Sequence, residues 1–244
     1  MKLFAFLLVA CSLALPAAAQ VDCNIGLEPL DADAGSSISA LGFIHDVAPK
    51  EVVFSKAFGG YGYVLDVNLQ TLQGDTVDGE FSQASKISFD PAGARQMVVT
   101  KGPVDTLARV KLGNRDIDPL RDAFAITPDI LSDRDIVFSG RQKIGEINAS
   151  VFDILPRTPQ ASQRSFAGRV WVRTSETAII RACGRVGSGP FGPMRYLVTR
   201  ERVADQFWFP SVIRADENVS ADDKANDKDV HVRVTVKYSD YTSR

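Results

Sequence analysis

From Tyr61 onward, apolar and polar residues alternate. Tyr61, Tyr63, Leu65, Val67 and Leu69 are interleaved with Gly62, Val64, Asp66, Asn68 and Gln70. A period of two describes a strand with one buried face. Phe81, Ile87 and Phe89 continue the pattern on a returning strand. Asp90-Pro91-Ala92-Gly93 supplies the turn, with proline pre-set and glycine relaxed, and residues 95–100 return again. The same reading predicts strands over 135–143, 146–155, 164–173, 177–186, 196–203, 206–214 and 229–241. The last is the cleanest. Val230, Val232, Val234, Val236 and Tyr238 stand against His231, Arg233, Thr235, Lys237 and Ser239. Short strands separated by turns indicate one antiparallel, curved or barrel-like sheet. No repeat of roughly 20–50 residues runs through the chain, which excludes a solenoid or propeller.

Three places carry a helical signal instead. Pro49 sits at a first helical position, Val53, Phe54, Ala57 and Phe58 follow on one face, and Gly59-Gly60 stops the run. Asp118 can cap a helix that starts at Pro119 and turns Leu120, Ala123 and Phe124 to one side. Thr127-Pro128 repeats that start before Ile130 and Leu131. Residues 114–133 are therefore expected to form two short helices. Residues 21–39, rich in Gly, Asp and Ser, read as a loosely ordered leader.

The first residues are an address. Lys2 precedes an apolar run over 3–15, then Pro16 and small residues, so an export signal cut after Ala19 is expected. The run is too short for a membrane-spanning helix. Leu8-Val9-Ala10-Cys11 also has the form of a lipoprotein signal, in which Cys11 would carry the lipid. The partition is then 1–19 signal peptide, 20–45 flexible leader and 46–244 folded domain. Beyond the signal two cysteines remain, Cys23 and Cys183. An oxidising compartment permits their pairing. Spacing alone leaves a bridge and two free thiols both open.

Charge and composition narrow the chemistry. The chain has 244 residues, 28 basic and 30 acidic side chains and 45% hydrophobic residues. That balance is globular and offers no basic field to nucleic acid. His45 and His231 have no nearby metal-ligating partners, so no zinc site is signalled. No G-x-S-x-G elbow exists. Gly187-Ser188-Gly189-Pro190-Phe191-Gly192 matches a dinucleotide fingerprint by letter only. A strand-like segment follows it and Pro190 removes an amide donor. Residues 215–229 hold six carboxylates and two lysines without calcium-loop spacing. They read as a solvated hairpin loop. No cofactor, metal or catalytic residue is expected. An outer-membrane barrel fits poorly, because 135–143 and 146–155 carry charges where lipid would lie.

Aromatic residues are the informative class, since they fall almost entirely on predicted strands. A curved sheet has an inner face too wide for its own side chains to fill. Partly covered by helices, that face suits acyl chains. The residues expected to line it are Tyr63, Leu65, Val67, Phe81, Phe89, Phe138, Trp171 and Trp208. Val53, Phe54, Leu120 and Phe124 would form the lid.

Several segments together carry a family likeness. They are Gly74-Asp75-Thr76-Val77-Asp78-Gly79-Glu80-Phe81, Lys86-Ile87-Ser88-Phe89-Asp90 and Val151-Phe152-Asp153-Ile154-Leu155-Pro156-Arg157. Arg164-Ser165-Phe166-Ala167-Gly168-Arg169-Val170-Trp171-Val172, Thr199-Arg200-Glu201, Phe207-Trp208-Phe209-Pro210-Ser211 and Lys237-Tyr238-Ser239-Asp240-Tyr241 complete the set. This order resembles exported bacterial proteins of the LolA/LolB-like superfamily, from about residue 49 to 241. The resemblance implies an unclosed antiparallel half-barrel of about eleven strands, α+β in class, with helices over its open side. It also implies a non-enzymatic periplasmic carrier of lipoprotein acyl chains or lipid, with other envelope proteins as partners. A structural module with a filled interior is the alternative on the same fold. No catalytic residue transfers.

Overall fold

A computed structural model describes residues 21–110, 125–158, 166–185, 194–220 and 229–243. Among them ten strands form one antiparallel sheet. They are β1 (Tyr61–Gln73), β2 (Thr76–Phe89), β3 (Arg95–Asp105), β4 (Arg134–Ile144), β5 (Ile147–Pro156), β6 (Ala167–Arg173), β7 (Ala178–Arg185), β8 (Arg195–Val203), β9 (Phe207–Ser220) and β10 (Asp229–Ser243). The order β3-β2-β1-β10-β9-β8-β7-β6-β5-β4 leaves β3 and β4 at opposite edges, so the sheet is not closed. Consecutive strands are neighbours in the sheet except β3 and β4, and one neighbouring pair, β1 and β10, is not consecutive. β10 returns beside β1, and the passage from β3 to β4 crosses from one edge to the other.

Alternation decides which face each residue takes. On β1, Tyr63, Leu65, Val67 and Leu69 are buried. On β10, Val230, Val232, Val234, Val236 and Tyr238 are buried, in direct register with β1 (Leu65 with Tyr238, Val67 with Val236, Leu69 with Val234). These side chains, with Phe81, Ile87, Tyr196, Val198, Ile213, Ala215 and Val219, form one apolar layer on what is here called the inner face.

A helical segment covers that face. Ser39 caps α1 (Ala40–Gly42) by accepting from the Gly42 amide at 3.0 Å. A π-turn over Phe43–Val47 leads into α2 (Ala48–Phe58), which has proline in its first turn and stops at Gly59. Phe43, Val47 and Ala48 pack over the inner face of β5–β7 with Phe152, Ile154, Val170, Val172 and Ile179. The Phe43 and Phe152 ring centroids are 5.1 Å apart. A fully buried phenylalanine such as either of these contributes about 1.5–3 kcal/mol. α3 (Pro128–Leu131) adds Leu131 to the same cluster.

On the outer face, residues 21–30 pack against the strands from β4 to β9. Val21, Cys23, Leu27 and Leu30 pack with Ala149, Val151, Trp171, Ile180, Cys183 and Leu197. The polar composition that suggests a loose leader conceals several anchors. Cys23 is disulfide-bonded to Cys183 across 160 residues of chain. The Arg181 guanidinium donates to the Cys23 and Ile25 carbonyls at 2.9 and 3.0 Å. Asp31 and Arg141 exchange two backbone hydrogen bonds, each 2.8 Å. Gly140 makes this approach possible: its φ is +138°, and a Cβ there would stand 2.3 Å from the Asp31 carbonyl oxygen.

Two expectations change. Ten strands are present among the described residues, against about eleven. The acidic stretch expected as a loop from 215 is strand as far as Ser220, because Ala215, Glu217 and Val219 point into the core and keep the alternation of β9 running. The first helix expected within 114–133, the 187–192 glycine loop and the export signal lie outside the described residues.

Candidate functional site

The inner face is continuous from β2 to β8, and its apolar floor is almost free of charge. Its most elaborate part lies under the C-terminal half of α2. Phe58 faces Tyr63, Phe209, Tyr238 and Tyr241, with ring centroids 5.0, 5.4, 6.2 and 6.3 Å away. Phe54 sits 5.8 Å from Phe209, and Phe207 stacks on Phe209 at 5.5 Å. Offset and edge-on ring pairs of this kind add about 0.5–1.5 kcal/mol each beyond the area they bury. The Tyr241 hydroxyl donates to the Pro210 carbonyl at 2.5 Å, and burial pushes its pKa far above the ordinary tyrosine range. Tyr196, buried near Glu217, is pushed up to about 12 by burial and then by that carboxylate's charge. Both phenols are neutral at physiological pH.

A buried charged contact crosses from the helix to the sheet. Glu51 of α2 receives the Arg200 guanidinium of β8 in a bidentate pair, 2.7 and 2.8 Å, with side chains 3% and 2% exposed. Arg200 also donates to the Ile179 carbonyl at 3.2 Å, and its guanidinium lies 4.3 Å from the Phe54 ring centre. The second Glu51 oxygen accepts from the Ile126 amide at 3.2 Å. The carboxylate therefore joins α2, β8 and the segment before α3. Periodicity explains its position. The inward stripe of the helical run is Val47, Glu51, Phe54 and the half-buried Phe58, spaced three and four residues apart, with Ala48 buried beside it.

The residues expected to line a cleft divide between the two faces. Tyr63, Leu65, Val67, Phe81 and Phe89 meet in the large inner layer. Phe138 is inner as well but belongs to the neighbouring cluster, 5.6 Å from Phe152. Trp171 and Trp208 do not line this face. Val170 and Val172 point inward, so Trp171 between them must point outward, where its indole donates to Gln142 at 2.7 Å. Trp208 lies between inward-facing Phe207 and Phe209 and donates outward to Glu176 at 2.7 Å. Of the expected lid residues, Phe54 is buried against the sheet, whereas Val53 is 56% exposed on the far side of the helix. Leu120 and Phe124 lie outside the described residues.

Glu51 and Arg200 escaped the sequence reading. An acidic residue inside a helix is ordinarily a solvated one, so the sequence sets Phe54 and Phe58 on the inner stripe, as found, but adds the exposed Val53 and leaves out Glu51. The available signal was a glutamate three residues before Phe54 and seven before Phe58.

Elsewhere, Asp216 on β9 holds His231 and Arg233 of β10, the latter at 2.9 Å. Among the described residues no group of three His, Cys, Asp or Glu side chains is placed to hold a metal ion. No helix among them is long and apolar enough to cross a membrane.

Fold and site together define a class: an open antiparallel sheet whose apolar inner face is covered by a short, ion-paired helical segment. No family model matches the chain. No curated protein matches it either. Among solved structures it is similar to a DUF1329 family protein from Desulfovibrio piger, at 13% identity and TM-score 0.41, over 85% of this chain and 94% of that one. It is similar to a LolA superfamily protein from Nitrosomonas europaea, at 12% identity and TM-score 0.35, over 85% and 94%. A third is a putative outer membrane lipoprotein-sorting protein domain from Vibrio parahaemolyticus, at 8% identity and TM-score 0.39, over 81% and 91%.

Proposed function

We propose that this protein is a non-catalytic binder of hydrophobic cargo in the bacterial periplasm, taking lipid or lipoprotein acyl chains between the inner face and α2. The observation that carries the reading is the apolar layer from β2 to β8, covered by a helix that one buried ion pair holds down. Acyl chains entering such a layer gain about 0.8 kcal/mol per buried CH₂. Residues 1–19 would direct export, and residues 20–244 would form the mature chain.

The inner residues are 0–8% exposed, so uptake requires the segments packed on them to move, α2 with its Phe54 and Phe58 among them. Displacing α2 costs the Glu51–Arg200 pair and the contacts of Phe54 and Phe58, which a bound chain would replace. The same burial favours a second reading, in which the interior is permanently filled and the protein is a structural module of the envelope. Native mass spectrometry with lipid extraction separates the two, combined with titration of the purified protein by a fluorescent fatty acid. Co-purified lipid, or saturable uptake that increases in Glu51→Leu, supports cargo binding. Absence of both in the parent and in folded Glu51→Leu overturns it in favour of the filled module.

A further inference from the structure

The edge strand β3 differs from every other strand of the sheet. All eleven of its residues are exposed, on both faces. Met97, Val98, Val99 and Val104 are 43%, 61%, 44% and 49% exposed. Among the described residues nothing pairs with its outer edge. An uncovered apolar edge is one that soluble proteins ordinarily shorten, charge or cover.

Register gives this edge a pattern. Arg95–Val99 pair without interruption with Phe89–Ser85, and the ladder then shifts twice, at Thr100 and across Gly102-Pro103. Five residues, about 16 Å, are therefore straight and open to pairing. Within them Met97 lies beside inward-facing Ile87 and Val99 beside buried Ser85, so both extend the inner, apolar face. Val98 lies beside Lys86. Lys101, beyond the first shift, pairs with Ala84 and lines an outer-face pocket of about 190 Å³ with Lys237 and Asp66. Residues 81–89 and 91–104 contain no carboxylate. Within the straight run Arg95, Met97 and Val99 thus take the inner side and Gln96 and Val98 the outer, with the outer-face cations Lys86 one strand further in on β2 and Lys101 just beyond the shift.

We propose that β3 is a docking edge for an extended segment of another protein, one that alternates apolar and acidic residues. Added as an antiparallel eleventh strand, its apolar side chains meet Met97 and Val99 on the inner side, and its carboxylates lie over Gln96 and Val98 on the outer side and extend toward Lys86 and Lys101. Backbone hydrogen bonds supply the attachment, and the alternation sets specificity. A second copy of this chain is the poorer occupant. Two-fold pairing of β3 with itself keeps like faces together, gathering Lys86 and Lys101 of both copies at one seam. The inference is independent of cargo binding on the inner face.

The probe is an acetylated, amidated hexapeptide alternating glutamate and valine. Its counterparts alternate lysine and valine, or carry N-methylated valines. The glutamate peptide should bind about tenfold more tightly than the lysine peptide and slow amide exchange at Arg95–Val99. The N-methylated peptide should not bind, and Lys86→Glu/Lys101→Glu should reverse the charge preference. Fatty-acid uptake should be unchanged in that double variant, which keeps this test separate from the inner-face one. Equal binding of the glutamate and lysine peptides, binding of the N-methylated peptide, or exchange protection away from β3 overturns the proposal. So does sedimentation showing that two copies of the chain associate through β3.

Discussion

Cutting the Glu51–Arg200 pair is the most direct test of how α2 is held. The two side chains are 3% and 2% exposed, so neither charge has water to fall back on. Glu51→Leu removes both short contacts to the guanidinium, at 2.7 and 2.8 Å, and the acceptor of the Ile126 amide. The Ile179 carbonyl and the Phe54 ring remain, but they supply no opposite charge. Removing one member of a buried pair costs roughly 3–5 kcal/mol. For a domain of this size about 2–4 °C of Tm accompany each kcal/mol, so a fall of roughly 6–20 °C is expected. Arg200→Met should cost a similar amount by stranding the carboxylate. The double variant should recover most of the loss, because replacing both charges with apolar groups is often neutral. Urea unfolding followed by tryptophan fluorescence measures all four corners of the cycle. Both tryptophans lie on the outer face, so the probe reports global unfolding rather than local movement of α2. A Glu51→Leu loss below about 1 kcal/mol, or a double variant no better than the single ones, would refute a buried clasp.

Further outcomes follow from other contacts. Replacing Cys23 and Cys183 by serine should cost up to about 5 kcal/mol in the chain-entropy account of so long a loop, measured by urea unfolding. Gly140→Ala should push residues 31–32 off the sheet, because of the 2.3 Å clash at Asp31, and faster amide exchange at Asp31 and Arg141 would show it. Burial raises the Asp153 pKa, but hydrogen bonds from Arg169 and Ser139 outweigh it and hold the carboxyl below its ordinary value. Its stabilising contribution is therefore complete above the unfolded-state pKa near 4 and is lost as pH falls through the folded value. Asp153→Asn should be less stable at neutral pH and lose less between about pH 5 and 2 on acid titration. Alkaline difference spectra should show Tyr196 ionising only near pH 12, above the ordinary tyrosine range. Stability should accordingly fall as pH rises past about 10, where unfolded tyrosine begins to ionise.

The alternation of apolar and polar residues by itself determined the antiparallel sheet, most of its strands and the helix after Pro49. Period two and period 3.6 are local properties, written into each segment irrespective of the rest. The strand ends were harder to read. β9 runs on through Asp216 and Glu217 because its alternation outlasts its hydrophobicity. The face to which each alternating set belongs was decided only by tertiary structure. Alternation shows that Trp171 and Val170 point opposite ways, but not which of them meets the helices. Packing of Phe43 and Val47 on one side and of the disulfide-tethered residues 21–30 on the other decides that, and it sends both tryptophans outward. The pairing of Glu51 with Arg200 belongs to the same class of fact. The two are 149 residues apart, and no local pattern joins them. Burying a carboxylate in the stripe of α2 is tolerable only because the fold carries a guanidinium on β8 to meet it.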